Sequence, residues 1–253
     1  NFDTEYLNNP KRSKVYFQDK AVEGLDEEKL VDESERDDDG LLIIEEAEKD
    51  AVYVIGADAA KGNGGDQSAA VVWKTTGLRF REVANYKNNR IAPENFAGVV
   101  AGLGRRYNNA LVVPENNYPG NELIAFLSAI YNNIYHIVKG HDAEGKEIRE
   151  YGVNTNLKSK PEMFRHFKAL LLDVLLHIRS RALYDQVLEY PSDDILVVKQ
   201  KDGAGGHFDL LMSAVVGIFK AGGISVAGRE DQVSDAAIKK VVDSVFEDVP
   251  NNR

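Results

Sequence analysis

With 253 residues, 43% of them hydrophobic, the chain is long enough for one large globular domain with appendages. It has no cysteine, which excludes disulfides and thiolate metal sites. No apolar stretch nears the ~20 residues of a membrane span, so a soluble, intracellular protein without membrane partners is expected. The net charge of −10 argues against a nucleic-acid binder, but residues 19–50 carry fifteen Asp and Glu against four Lys and Arg. The remainder is close to neutral and leaves room for a local basic groove.

Residues 1–50 read as an acidic N-terminal linker segment, because the run "LDEEKLVDESERDDDG" has too little apolar content to build a core. A patterned α/β domain follows over 51–222. Strands are expected at 51–57, 68–74 and 79–87, joined by short turns and therefore antiparallel neighbours. Pro93 opens a helix with Phe96, Val99, Val100 and Leu103 on one face. A short buried strand at 110–114, a helix at 120–131 and a strand at 135–139 come next. The polar stretch 140–153 reads as a hairpin, either a flap over a groove or decoration. Pro161 begins a long helix whose apolar spacing runs through Phe164, Phe167, Leu171, Val174, Leu175 and Ile178. An extended segment at 195–199 precedes a final helix in "FDLLMSAVVGIFKAG", ended by Gly222 and Gly223. Residues 223–253 read as a C-terminal tail with one amphipathic stretch.

The chemistry lies in acids set beside buried backbone. Asp58 ends the first strand, in "VYVIGADAAKGNGGDQSAAVVW", and Asp66 lies in the glycine-rich turn behind it. Glu115 follows the strand "LVVP", and Asp209 opens the last helix in "GGHFDLLMS". Each alone has an ordinary explanation as a turn former, a solvated acid or a helix cap. If adjacent strand ends and the helix start converge, however, clustered carboxylates repel one another unless they bind hard cations, and all-oxygen ligation suits Mg²⁺ or Mn²⁺. Two such ions activate water and stabilise the leaving oxygen in phosphodiester hydrolysis.

The three stretches "VIGADAAKGNGGDQSAAVVW", "VVPENNYPGNELI" and "GHFDLLMSAVVG", in this order, resemble the nuclease domain of the large terminase subunit, the DNA-packaging motor protein of tailed bacteriophages. The likeness covers about residues 51–222, and "FDTEYLNNP" resembles the segment leaving that family's ATPase domain. It implies an RNase H-like (retroviral integrase-like) α/β fold, a mixed sheet with helices on both faces. It further implies a two-metal endonuclease that cuts concatemeric viral DNA during packaging. Asp58, Glu115 and Asp209 match the catalytic metal-binding acids. Asp66 matches a further acid that either assists metal binding or shapes the loop. Many members carry paired acids at the last motif, where this chain has Phe208 before Asp209 and His207 as a neighbour able to meet metal, water or DNA. Lys158, Lys160, Lys199 and Lys201 are the candidate phosphate contacts, and Asn116, Asn117 and Gly120 shape the loop after Glu115. Implied partners are double-stranded viral DNA, the ATPase domain, the portal and the small terminase subunit, at the assembling procapsid in the host cytoplasm.

The chain has no G-x-x-x-x-G-K-[ST] phosphate loop, so the ATPase motor is expected to be missing from it. Competing readings are a junction resolvase or RNase H, an actin-like ATPase domain, and a non-catalytic module with structural Ca²⁺. The last predicts closely spaced ligands in one loop, whereas these acids are far apart in sequence.

Overall fold

The computed structural model describes Phe17, residues 29–191 and residues 208–221. Its elements in chain order are β1 (Leu41–Ile43), β2 (Val52–Asp58), β3 (Ser68–Thr76), β4 (Arg79–Asn88), α1 (Pro93–Arg106), β5 (Leu111–Pro114), α2 (Gly120–Ile130), β6 (His136–His141), β7 (Glu147–Tyr151), α3 (Ser159–Leu172), β8 (Leu176–His177), α4 (Arg181–Glu189) and α5 (Asp209–Ala221).

β2, β3 and β4 form the antiparallel meander that the spacing predicts, and β5 joins β2 in parallel to give the order β1-β4-β3-β2-β5, with β8 parallel to β4. β2 is buried along almost its whole length because both faces are covered, which explains its unbroken apolar run. Tyr53, Ile55 and Ala57 face a core shared with α1 and α2, while Val54 faces a second core built with α3, α4 and α5. This is an α/β fold with a mixed sheet and helices on both faces, as expected.

Five features differ from the sequence reading. The sheet reaches back beyond residue 51: Leu41, Leu42 and Ile43 pair with Tyr86, Asn85 and Ala84, so part of the acidic segment is an edge strand rather than linker. Arg36 pins this edge by donating from Nη2 to Asn85 Oδ1 at 2.7 Å. Phe17 is also buried, against Phe164 and Phe167. The stretch expected as a strand at 135–139 is one arm of the β6–β7 hairpin, which forms a separate two-stranded sheet. The long helix ends at Leu172, where Leu175 N–H closes back on Leu170 O at 2.9 Å and Val174 takes a left-handed φ of 54°. Leu176 and His177 are thereby released to pair with β4. Helix α4, which the sequence reading omits, packs Leu183, Tyr184 and Val187 into the second core. The segment 195–199 and the tail 223–253 lie outside the described residues. Among the described residues, no helix is long and apolar enough to cross a membrane.

Candidate metal centre

Strand alternation sets where the acids point. Val54 faces α5, and Gly56 and Asp58, two and four residues on, share that face. β5 runs beside β2 with Gly56 opposite Val113 and Ala57 opposite Pro114, so the next pair in this register is Asp58 with Glu115. The Glu115 N–H donates to Ala57 O at 2.8 Å and extends the ladder by one step. Val113 lies in the α5-side core, so Glu115 points toward α5 as well.

The third acid arrives through glycine packing. Asp209, Ser213 and Gly217 are spaced by four and share one face of α5. A Cβ on Gly56 would lie 1.8 Å from Ser213 O and 2.7 Å from Gly217 N, so helix and strand meet backbone to backbone. With Ser213 and Gly217 seated on Gly56, Asp209 stands one turn further on, level with Asp58. Gln67 N–H then donates to Asp209 Oδ2 at 2.9 Å and ties the end of the glycine-rich loop to the helix start.

Electrostatics report the same convergence. The Asp58 carboxyl is held well above the usual carboxylate range, first by burial, then by the negative charges of Glu115 and Asp209, a hydrogen bond with Glu115 and the charge of Asp66. Three acids from three other segments of the chain therefore act on Asp58. Asp66 is exposed on the loop at the rim. Among the described residues, no three His, Cys, Asp or Glu side chains close into a ready-made cage. The donor set nevertheless fits a hard cation, because it is all oxygen and mutually repulsive, and a divalent ion would relieve the repulsion carried by Asp58.

Asn117, expected only to shape the loop, donates from Nδ2 to Glu115 Oε1 at 2.9 Å. Gly120 lets α2 begin directly over Glu115, since a Cβ there would lie 2.0 Å from Glu115 O. Of the candidate phosphate contacts, Lys158 is exposed just before α3. Lys160 is not positioned as expected: it is buried, with Nζ 5.9 Å from the centre of the Tyr190 ring, and does not present its ammonium to a ligand. Lys199, Lys201 and His207 lie outside the described residues. A basic group that the sequence reading missed is Lys61, exposed on the glycine-rich loop with Nζ 5.2 Å from the centre of the exposed Tyr118 ring. Lys61 follows Asp58 by three residues and Tyr118 follows Glu115 by three, so the contact bridges the two acid-bearing strand ends.

Comparison with known proteins agrees with this architecture. No family model matches the chain, and no curated protein matches it. Solved structures do. The large terminase nuclease from thermophilic phage G20c with bound magnesium superposes with a TM-score of 0.58 at 16% identity, covering 79% of this chain and 95% of that one. The same nuclease with bound cobalt gives a TM-score of 0.56 at 15% identity. The large terminase nuclease domain of Thermus phage P74-26 gives 0.55 at 17% identity, covering 82% of this chain and 95% of that one. The chain therefore has the RNase H-like fold of large terminase nucleases.

Proposed function

We propose that the chain is a metal-dependent DNA endonuclease of viral genome packaging, which cuts concatemeric DNA by two-metal-ion phosphodiester hydrolysis. The observation that carries this reading is the meeting of Asp58, Glu115 and Asp209 on one face of the sheet, on the fold of large terminase nucleases. Asp58 and Glu115 would hold Mg²⁺ or Mn²⁺ from the two adjacent strand ends, with Asp209 closing the set from the helix and Asp66 assisting from the loop. Bound there, a pair of ions supplies an activated water and a counter-charge for the leaving oxygen. The chain's own part is to gather and orient the carboxylates within reach of a backbone phosphate, with exposed Lys158 positioning the strand. The nuclease unit is the domain over 51–222 together with edge strand β1. In the packaging machine its partners are viral DNA, the motor's ATPase domain, the portal and the small subunit, at the procapsid in the host cytoplasm.

Incubation with supercoiled plasmid tests the reading. Cleavage is expected with Mg²⁺ or Mn²⁺ and not with Ca²⁺ or EDTA. Asp58→Asn, Glu115→Gln and Asp209→Asn should each slow it by at least about 100-fold, the upper range for disturbing even the groups behind a metal ligand. Near-normal nicking by any one of them removes that residue from the site. DNA-stimulated ATP hydrolysis in place of cleavage overturns the reading.

A further inference from the structure

Behind the Glu115 carboxylate runs a chain of side-chain amides, all aligned in one direction. Asn156 Oδ1 accepts from the Lys158 and Ser159 N–H groups at 2.9 and 3.0 Å, where α3 begins. Asn156 Nδ2 donates to Asn154 Oδ1 at 3.0 Å, and Asn154 Nδ2 donates to Asn117 Oδ1 at 2.7 Å. Asn117 Nδ2 then donates to Glu115 Oε1 at 2.9 Å and to Thr155 O at 2.6 Å. Ser159 Oγ braces the chain by donating to Asn154 O at 2.8 Å. Each amide accepts on the helix side and donates on the acid side, so the partial positive charge of the α3 N-terminus is passed on to the carboxylate. The backbone of the same segment is joined to the site, since Asn116 N–H donates to Val153 O and Val153 N–H to Pro114 O, both at 2.9 Å.

A glutamate has three rotatable side-chain bonds, and a ligand that must first be ordered binds metal more weakly than one already held. With Oε1 engaged by an amide that is itself held at two further points, by Thr155 O and Asn154 Nδ2, Glu115 is fixed in rotation before any ion arrives. We propose that Asn117, backed by Asn154 and Asn156, is a positioning residue that orients Glu115 for a divalent cation. This inference rests on the nuclease reading given above. A purely structural role for the same amides would show as lost stability with unchanged metal affinity.

The test uses the whole chain with Mn²⁺ as probe. Calorimetric Mn²⁺ affinity, the thermal midpoint in EDTA and the Mn²⁺ dependence of plasmid cleavage are measured for wild type, Asn117→Ala, Asn154→Ala and Glu115→Gln. Asn117→Ala is expected to weaken Mn²⁺ binding by about 10- to 100-fold, the range found for groups that orient metal ligands. Asn154→Ala should weaken it less, in the same direction. The Mn²⁺ concentration for half-maximal cleavage should rise by the same factor, with the saturated rate largely restored. In wild type the Asn117 side-chain amide signal in NMR should shift as Mg²⁺ saturates. Unchanged affinity in both asparagine variants overturns the inference, even if Asn117→Ala melts earlier. Should Asn117→Ala fail to fold, Asn154→Ala and the wild-type amide signal decide, and a signal unmoved by Mg²⁺ overturns it. The outcomes separate cleanly: no metal-dependent cleavage by wild type sinks the nuclease reading itself, normal cleavage by Glu115→Gln removes Glu115 from the site and this inference with it, and a dead Glu115→Gln beside an unaffected Asn117→Ala sinks only the positioning role.

Discussion

Asp58 is the residue on which fold and chemistry pull in opposite directions. It sits at the end of a buried strand, beside Glu115 in register and within the field of Asp209 and Asp66, and its carboxyl is held well above the usual range by burial and by those charges. In the metal-free protein the folded state therefore keeps a proton that the unfolded chain has already released. Between the ordinary aspartate range and the raised value, the folded state binds more protons than the unfolded one, so stability falls as pH rises through that window and is level above it. Asp58→Asn removes the titration, and its thermal midpoint in EDTA should change less with pH across the same window than that of wild type. Adding Mg²⁺ at neutral pH should raise the wild-type midpoint more than that of Asp58→Asn, because only the carboxylate gains a cation. Parallel midpoint curves for the two proteins would show that Asp58 is not strained by its neighbours. Asp58, Glu115 and Asp209 were legible in the sequence because each interrupts an apolar run at an element boundary. Asn117 was legible only as a loop residue, since no spacing rule marks a side chain that bonds an acid two positions earlier.

At the scale of elements, the site depends on how closely α5 approaches β2. Gly56 and Gly217 remove the side chains that would separate them, and a Cβ at Gly56 would collide with Ser213 O. Gly56→Ala must push the helix away from the sheet. Overpacking of this kind costs roughly 1–3 kcal/mol, and more where the neighbour is backbone. The variant is expected to melt earlier and, because Asp209 moves with the helix, to need more Mn²⁺ for cleavage; a melting curve and a Mn²⁺ titration check both. Normal melting and normal metal demand together would mean that the helix position does not set the site. The longer elements were readable: β2, β3, β4, α1, α2 and α5 follow from apolar periodicity with proline and glycine punctuation. The short ones were not. β1 is three residues within a charge-dense run and β8 is two residues, too few to show a period. Periodicity alone carries α3 past Leu172 because Val174, Leu175 and Ile178 keep helical spacing, yet the chain leaves the helix to place Leu176 and His177 beside β4. Tertiary pairing there outweighs local periodicity. Glu82 is a related case: its carboxylate is wholly buried and accepts from Asn85 Nδ2, the N–H groups of Arg179 and Ser180, and Ser180 Oγ, a set of partners spread over nearly one hundred residues.

For the whole molecule, the uneven charge governs how DNA is met. The acidic residues concentrate in 19–50, and the rest of the chain is nearly neutral, so affinity must come from a few phosphate contacts and the ions themselves. Each neutralised phosphate contributes a slope of about −0.9 in log affinity against log salt, so three contacts lose about fortyfold between ~50 and ~200 mM. Cleavage at limiting protein should fall accordingly across a salt series, with little sequence preference in the cut positions on a long linear duplex. A single discrete cut site, or cutting insensitive to salt, would mean that the chain carries a sequence reader of its own. Beneath these expectations stands one claim, that Asp58, Glu115 and Asp209 jointly hold divalent cations, and anomalous diffraction from crystals of the chain soaked in Mn²⁺ tests it most directly. The expected result is a pair of Mn²⁺ peaks about 3.5–4 Å apart, bound by all three carboxylates. Peaks elsewhere, or no peak at Mn²⁺ concentrations that support cleavage, would contradict it.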